Sequence, residues 1–582
     1  MDLRAEQTNR SEDTETLAPA SSISSLELEI ARPELPLLRF WLFSIGLLVG
    51  LLLSFLDTAI VATSIFSIAT EFGDLASINW VALAYSLVYL GCASLLARVS
   101  DIIGRRNAFI ASYLIFIAFS IACGFAQNLV QLIACRALQG LGGSGLYSIT
   151  MIILPEVAPE RVKRFIGGLV GIVIAMSSVL GPVLGGVLTE YTTWRWVFWI
   201  NGPIGAVSIL LFYFTWPPPK YLPHSGNRSW RELDYIGSIL LIAASVLVVF
   251  PFQNAAVLGG QWSKPVFIAP LIFGIISWLG LFTWSIFVDW RLNDIIDAAL
   301  PMRLLRDRIY AAAVLNTLFL GFPYMLVIYA FPLRLQVVND KSALIAGVML
   351  LPMLGSSAVG SLLAGAINGK KDRIFETFFV ATSLVVLGCG LLSTLSSSHE
   401  FEKKALGFLV FVGLGFGMVV STATMVATFH SSIRDHGKFL FHQKLLEICF
   451  DHKSAPAQGL MAQVRVLGGS IGIAASSAIL GVKLQAQRGA SHPGETPLLA
   501  SGNSTLLQGE LEATVQAYAD AFNEDMRVCT IIGAVAILLT FGTFSRNRLT
   551  VAERRAQQVR ERFGRRKDQS TQALADSAYV LD

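Results

Sequence analysis

The sequence predicts an all-α polytopic membrane protein, and three observations carry that prediction. Of 582 residues, 54% are hydrophobic and only 14% are charged, against roughly 25% charged in soluble domains. Apolar runs of about 20 residues, the length that crosses a bilayer, recur fourteen times between residues 40 and 545. Lysine and arginine crowd alternate loops and are sparse in the others.

Taken in order, residues 1–39 are polar and rich in Ser, Thr and Glu. They lack the short apolar core of a cleavable signal, so they read as a disordered cytosolic tail, with the first span as the insertion signal. The first six runs lie at 40–65, 79–98, 107–126, 130–154, 166–189 and 196–216. Charge or turn residues bound them: Arg98, Arg105-Arg106, Pro155-Glu156, Glu190 and Pro217-Pro218. Two more runs, 235–251 and 266–288, follow Asp234 and Lys264-Pro265. The last six lie at 309–333, 342–367, 374–396, 405–429, 462–484 and 526–545. This 6+2+6 plan gives a six-helix bundle over 40–216, two linking helices and their loops over 217–308, and a second bundle over 309–545. A basic cytosolic tail, 546–582, closes the chain.

Orientation follows from the 44 Lys and Arg residues. With the N-terminus inside, the outside loops hold only Arg195, Lys264, Arg334, Lys341, Lys403, Lys404 and Arg488. Both termini are therefore cytosolic, and the span count is even. Asn503-Ser504-Thr505 falls in the long outside loop, making Asn503 a candidate glycosylation site, whereas Asn227 falls inside. Residues 506–522 read as a short amphipathic surface helix before the last span.

Several function classes are excluded. A net charge of +4 gives no support to nucleic-acid binding. Of six cysteines, five lie in apolar runs, where they act as small hydrophobes; there is no disulfide framework and no CxxC metal motif. A membrane enzyme would show a cluster of His, Cys or carboxylates at the membrane face. The one cluster is His430, His436, His442 and His452 in a polar inside segment, 430–453, without recognisable ligand spacing. That segment reads as a regulatory insertion or as translated intron, since Gly437-Lys438 can encode a splice donor. No metal and no cofactor are expected.

Charge inside the spans points to function. Asp57 is the one acid well within an apolar run. A carboxylate in a bilayer is costly and faces a cavity or a partner, and burial brings carboxyl protonation toward the physiological range, so Asp57 is the candidate proton acceptor. Arg136 is the one base deep in the first six spans. It cannot deprotonate, but it can tune a neighbouring acid. Gly140, Gly142, Gly143 and Gly145 follow it and make a close-packing helix. The fifth run carries Gly181-Pro182 and Gly185-Gly186, where Pro removes a backbone hydrogen bond and Gly lets a neighbour approach. The inside loop after the second run holds Asp101, Gly104, Arg105 and Arg106. Asp101 can pair with an arginine, and Gly104 permits a tight turn.

Together these stretches resemble the major facilitator superfamily, and within it the fourteen-helix drug:proton antiporters. Asp101, Gly104, Arg105 and Arg106 match its G-x-x-x-D-x-x-G-R-R loop, with Ala97 where Gly is usual. Arg136, Gln139 and Gly140 match R-x-x-Q-G. Residues 181–186, GPVLGG, match the antiporter motif, and Trp194 to Gly205 resembles the W-R-W-x-F-x-I-N-x-P-x-G run. Leu56 to Val61 resembles the first-helix motif, with Ala59 for a usual Thr and Phe66 where Pro is expected. In the second half, Pro332, Gln336, Ser342, Gly347 and Pro352 match a recurrent run, as do Gln463, Arg465, Gly468, Gly469 and Gly472.

The resemblance implies a major facilitator fold of two pseudo-symmetric bundles that rock around a central site. It implies proton-coupled export of small amphipathic organic compounds, toxic secondary metabolites or drugs, like the efflux pumps of fungi. Asp57 would take the proton and Arg136 would tune it. Gly181, Pro182, Gly185 and Gly186 would give a helix bend and close packing. Asp101, Gly104, Arg105 and Arg106 would form a cytosolic gate latch. The partners implied are a small-molecule substrate, protons and membrane lipids, with the protein a monomer in the plasma membrane. The alternative is an importer, or a vacuolar carrier of siderophores or basic amino acids.

Overall fold

The computed structural model describes residues 35–73, 77–159, 162, 166–218, 221, 230, 233–257, 263–292, 296, 298, 300, 302–370, 373–430, 454–491 and 504–544. The N-terminal tail to residue 34, the His-containing segment 431–453, Asn503, Asn227 and the C-terminal tail lie outside them.

The described residues are almost wholly helical. We number the spans α1 (Leu37–Phe72), α2 (Trp80–Ile103), α3 (Arg105–Gly124), α4 (Leu129–Val157), α5 (Ile166–Tyr191) and α6 (Trp196–Thr215). The linking pair is α7 (Tyr235–Val257) and α8 (Pro265–Phe287). The second group is α9 (Arg308–Val337), α10 (Ala343–Asn368), α11 (Ile374–Leu392), α12 (Lys404–His430), α13 (Ser454–Ser491) and α14 (Ser504–Thr540). Thirteen helices are long and apolar enough to cross a membrane, and α2, bent by 52° between Trp80–Ala93 and Leu95–Ile103, makes fourteen.

Local chemistry sets the boundaries. Gly73 ends α1 in the left-handed region, φ 69°, with its N–H bonded to Ala69 O, a conformation that costs glycine little. Gly104, at φ 87°, is the one-residue break between α2 and α3. Asn128 caps α4 by accepting from Gln131 N at 2.8 Å. Asp307 caps α9 through Ile309 N at 2.9 Å, and Ser342 caps α10 through Ile345 N at 3.3 Å. Asp234 caps α7 through Gly237 N at 2.7 Å and also accepts from Trp284 Nε1 of α8 at 2.8 Å, pinning the linking pair together.

One expectation is overturned. Residues 506–522 do not form a separate surface helix; they are the first turns of α14, continuous with the last span. Val515, Tyr518 and Ala519 pack on Val338, Leu480 and Leu484. Its apolar stripe is spent on the second bundle rather than on a membrane surface.

In the first bundle α1 packs on α4, α5 and α6, and α4 on α2 and α3; in the second, α9 packs on α12, α13 and α14, and α10 on α12. Phe40, Phe43, Phe109, Phe116 and Phe212 fill the first core. Helix α7 lies across α2 and α13, covering the joint between the bundles, while α8 leaves Ile272, Phe273, Ile276 and Leu279 exposed, as a lipid-facing helix should. Hydrogen bonds that join the bundles include Tyr329 Oη to Thr58 O, Gln336 to Thr63 O, Asn79 to Ser477, Leu344 N to Glu190, and Gln463 to Leu90 O. Apart from the Gln463 bond they lie toward the α1–α2 and α9–α10 turns, so the bundles are closed together on that side, the one the charge pattern predicts to be outer.

Candidate functional site

A buried polar cluster sits where α1, α4 and α6 meet. Asp57 of α1 and Arg136 of α4 are both fully buried and form an ion pair. Asp57 Oδ1 also accepts from Gln139 Nε2 at 2.9 Å and from Asn201 Nδ2 at 3.2 Å. Arg136 donates through Nε to Val81 O at 3.0 Å and through Nη1 to Gln139 Oε1 at 2.9 Å. Its guanidinium lies over Tyr85, 4.5 Å from the ring centroid, and 5.5 Å from that of Phe198. A desolvated charge pair holds only when its remaining donors and acceptors are met. Here Gln139 supplies a donor to the acid and an acceptor to the base. Arg136 Nη2 and Asn201 Oδ1 are left buried without a partner among the described residues.

The glycines of α4 make this approach possible. A Cβ on Gly140 would fall 2.5 Å from Tyr85 O, and one on Gly142 would fall 2.5 Å from Phe116 N. The backbones of α2 and α3 therefore come within reach of α4 only because those side chains are missing.

Helix α5 runs through Pro182 without a break, and its small residues face two partners. A Cβ at Gly181 would fall 2.6 Å from Ala59 Cβ of α1, and one at Gly186 would fall 2.6 Å from Leu344 Cα of α10. Gly185 sits on Ile60 and Thr63 of α1, and Gly347 of α10 sits on the Pro182 carbonyl. Thr63 Oγ1 donates to that carbonyl at 3.4 Å and Ser64 Oγ pairs with Thr189 Oγ1 at 2.8 Å. The stretch thus lies between α1 of its own bundle and α10 of the other, on the closed side.

Asp101, Arg105 and Glu156 meet at the opposite end of the first bundle, beside the α2–α3 turn. Arg105 forms a two-pronged bond to Glu156, Nε to Oε2 at 2.9 Å and Nη2 to Oε1 at 2.8 Å, and its Nη1 is 2.8 Å from Asp101 Oδ1. These bonds tie α2, α3 and α4 to one another; none crosses to the second bundle. Arg106 turns the other way, over the Tyr213 ring at 4.5 Å.

Three polar residues that the structure ties into buried or half-buried bonds carry little signal in the sequence. Asn201 carries no charge to flag it; its place in the Trp194–Gly205 run is its one signal. Glu156 is taken for a loop residue because Pro155 precedes it, yet α4 continues to Val157. Asp525 falls one residue outside the apolar run at 526–545, but α14 includes it; it is 2% exposed and accepts from Ser476 Oγ at 2.5 Å. No group of three or more His, Cys, Asp or Glu among the described residues could hold a metal ion.

A family model described as the Major Facilitator Superfamily matches residues 47–473. The chain is 33% identical over 511 residues to the MFS-type transporter FPY5 of Fusarium mangiferae, covering 85% of this chain and 81% of that protein. It is 32% identical to the vacuolar membrane amino acid uptake transporter fnx2 of Schizosaccharomyces pombe, covering 66% of each. It is 31% identical to multidrug resistance protein 3 of Bacillus subtilis, covering 64% of this chain and 70% of that one. Among solved structures, a bacterial homolog of the human lysosomal transporter Spinster superposes with a TM-score of 0.56 at 14% identity, covering 88% of this chain and 99% of that one. That likeness carries the fold.

Proposed function

We propose that this chain, which belongs to the Major Facilitator Superfamily, is a proton-coupled exporter of small amphipathic organic compounds. It is a multi-pass membrane transporter and not an enzyme. The cargo we infer is toxic secondary metabolites or drugs, moved out across the plasma membrane by alternating access. The observation that carries this reading is the buried Asp57, held by Arg136, Gln139 and Asn201.

Ionised Asp57 satisfies Arg136 and accepts from two amides. A proton on Asp57 removes one charge of the pair and one acceptor, leaving the Arg136 guanidinium to its remaining bonds with Val81 O and Gln139. The next residue, Thr58, accepts from Tyr329 of the second bundle at 2.8 Å. A change of bonding at Asp57 therefore acts one residue from an inter-bundle bond. On the next turns of the same helix, Ala59, Ile60 and Thr63 pack on Gly181 and Gly185. Export names among the relatives, such as the efflux pump dotC of Dothistroma septosporum at 30% identity, support the direction. The fnx2 relative supports the second reading, uptake into a vacuole.

The test uses purified protein in vesicles with an imposed pH gradient and a panel of fluorescent amphipaths. Asp57→Asn should abolish accumulation driven by the gradient while sparing substrate exchange at equal pH. An Asp57→Asn protein that still follows the gradient would remove the proton assignment. Drug retention in whole cells against uptake by isolated vacuoles decides between the two membranes.

A further inference from the structure

Charge is unbalanced at mid-depth between the bundles, and the imbalance bears on what cargo fits; the argument rests on the export reading above. Arg465 lies on α13, two residues beyond Gln463, which bonds Leu90 O of α2 at 3.2 Å. Further along the same helix Ser477 meets Asn79 at the outer start of α2. At 1.5 Å per residue, Arg465 lies about 18 Å below Ser477 and Leu90 about 16 Å below Asn79, near the middle of a hydrocarbon core about 30 Å thick. Its neighbours Ala462 and Val466 pack into the core of the first bundle, so this face of α13 is the joint between bundles.

Across that joint stand aromatic rings. Tyr89 and Tyr147 belong to the same packed core that Ala462 and Val466, on either side of Arg465 along α13, enter from the second bundle. Their ring centroids are 6.0 Å apart, and that of Phe55 is 5.7 Å from Tyr147 and 6.5 Å from Tyr89. Tyr89 Oη is buried with no hydrogen-bond partner among the described residues. Arg465 itself is half-buried and makes no hydrogen bond or ion pair with any described residue. A guanidinium cannot shed its proton, and a lone charge at this depth must face a water-filled space or a partner. Asp57, the acid buried in the first bundle, is already bound to Arg136.

We propose that Arg465, with Phe55, Tyr89 and Tyr147, is the subsite for the acidic head of an aromatic amphipath. The cargo is anionic, bearing a carboxylate. The guanidinium fork takes the carboxylate in a two-pronged bond, the tyrosine hydroxyls donate to it, and the rings pack against the apolar body. The same charge rejects cationic cargo.

The test uses the full-length protein and three probes that share one ring system: pyrenebutyrate, its amide, and a pyrenylbutyl trimethylammonium. The wild type should bind the carboxylate about tenfold more tightly than the amide, the scale of one charge-assisted bond, and the ammonium most weakly. Arg465→Gln should lose that tenfold for the carboxylate and leave the amide unchanged, while Arg465→Lys keeps part of the preference. If Arg465→Gln fails to fold, Tyr147→Phe reads the same selectivity from the other wall of the subsite. A wild type that binds the three probes alike, prefers the ammonium, or binds none overturns the proposal, as does an Arg465→Gln protein with unchanged order. Gradient-driven transport of the amide, lost in Asp57→Asn, tests the export reading separately.

Discussion

The contact between Gly186 and α10 gives the sharpest mechanical prediction. A methyl at Gly186 would sit 2.6 Å from Leu344 Cα and 2.8 Å from Ala343 O. Ordinary carbon contacts lie at about 3.5–4.0 Å, so the overlap is about 1 Å, and it is with backbone, which cannot swing aside as a side-chain tip can. Overpacking of this kind costs about 1–3 kcal/mol. Gly186→Val should impose that cost on the outer-closed arrangement and spare each bundle, because Gly186 and Leu344 belong to different bundles. A bias of about 1–3 kcal/mol shifts a two-state population by roughly 5- to 150-fold. Gln336, 9% exposed and bonded to Thr63 O at 3.5 Å, reports on the closed face. In a Gln336→Cys background, a membrane-impermeant maleimide added from outside should label the Gly186→Val protein at least fivefold faster. Gly355 on the same helix α10 has nothing within 4 Å of an added Cβ, so Gly355→Ala should leave labelling unchanged. Equal labelling rates in Gly186→Val and its parent would refute the view that this contact closes the outer side.

Two further outcomes follow from the charged groups at the ends of the bundle helices. Arg105→Lys keeps the charge but loses the two-pronged bond to Glu156; it should cost about 1 kcal/mol, seen as a lower melting temperature of the detergent-purified protein. In the outer loop before α12, hydrogen bonds from Lys404 and Ser396 hold the Glu402 carboxyl down at about 2. A depressed carboxyl contributes above its unfolded value and loses that contribution only as pH falls through about 2. The pH dependence of transport between about 4 and 7 should therefore survive Glu402→Gln, measured as initial rates in vesicles.

Much of the fold could be read from the chain because a bilayer leaves few options. Every buried backbone group must bond within its own segment, so each apolar run becomes a helix, and fourteen runs become α1 to α14. Hydropathy is silent on how far a helix projects beyond the lipid. That is why the start of α14 reads as a separate surface helix: Glu512, Asp520, Glu524 and Asp525 are too polar for a span, yet the one helix that holds them packs on α9 and α13. The 52° bend of α2 near Ser94 was likewise hidden, since no proline marks it. Asp57 and Arg136 stood out as charges among apolar residues. Their pairing did not, because it depends on how α1 and α4 turn relative to each other. The two amides that complete the site, Gln139 and Asn201, are polar without charge and so weigh little in any count.

The strongest physical link between the site and the gate is their sharing of a single helix. Asp57, Thr58 and Ala59 are consecutive on α1, and successive residues point about 100° apart. Asp57 looks into its own bundle at Arg136. Thr58 offers its carbonyl to Tyr329 of the second bundle, and Ala59 lies against Gly181. Between residues 57 and 63 this helix therefore touches the ion pair, the facing bundle and the small-residue face of α5. Packed interiors do not deform smoothly; they settle into alternative arrangements. A rotation or slide of α1 that released Arg136 from a protonated Asp57 would have to carry Thr58 and Thr63 with it, and both hold bonds to the second bundle. Charge at the ion pair and closure of the outer face are then two readings of the position of one helix, which is the condition a coupled transporter must meet.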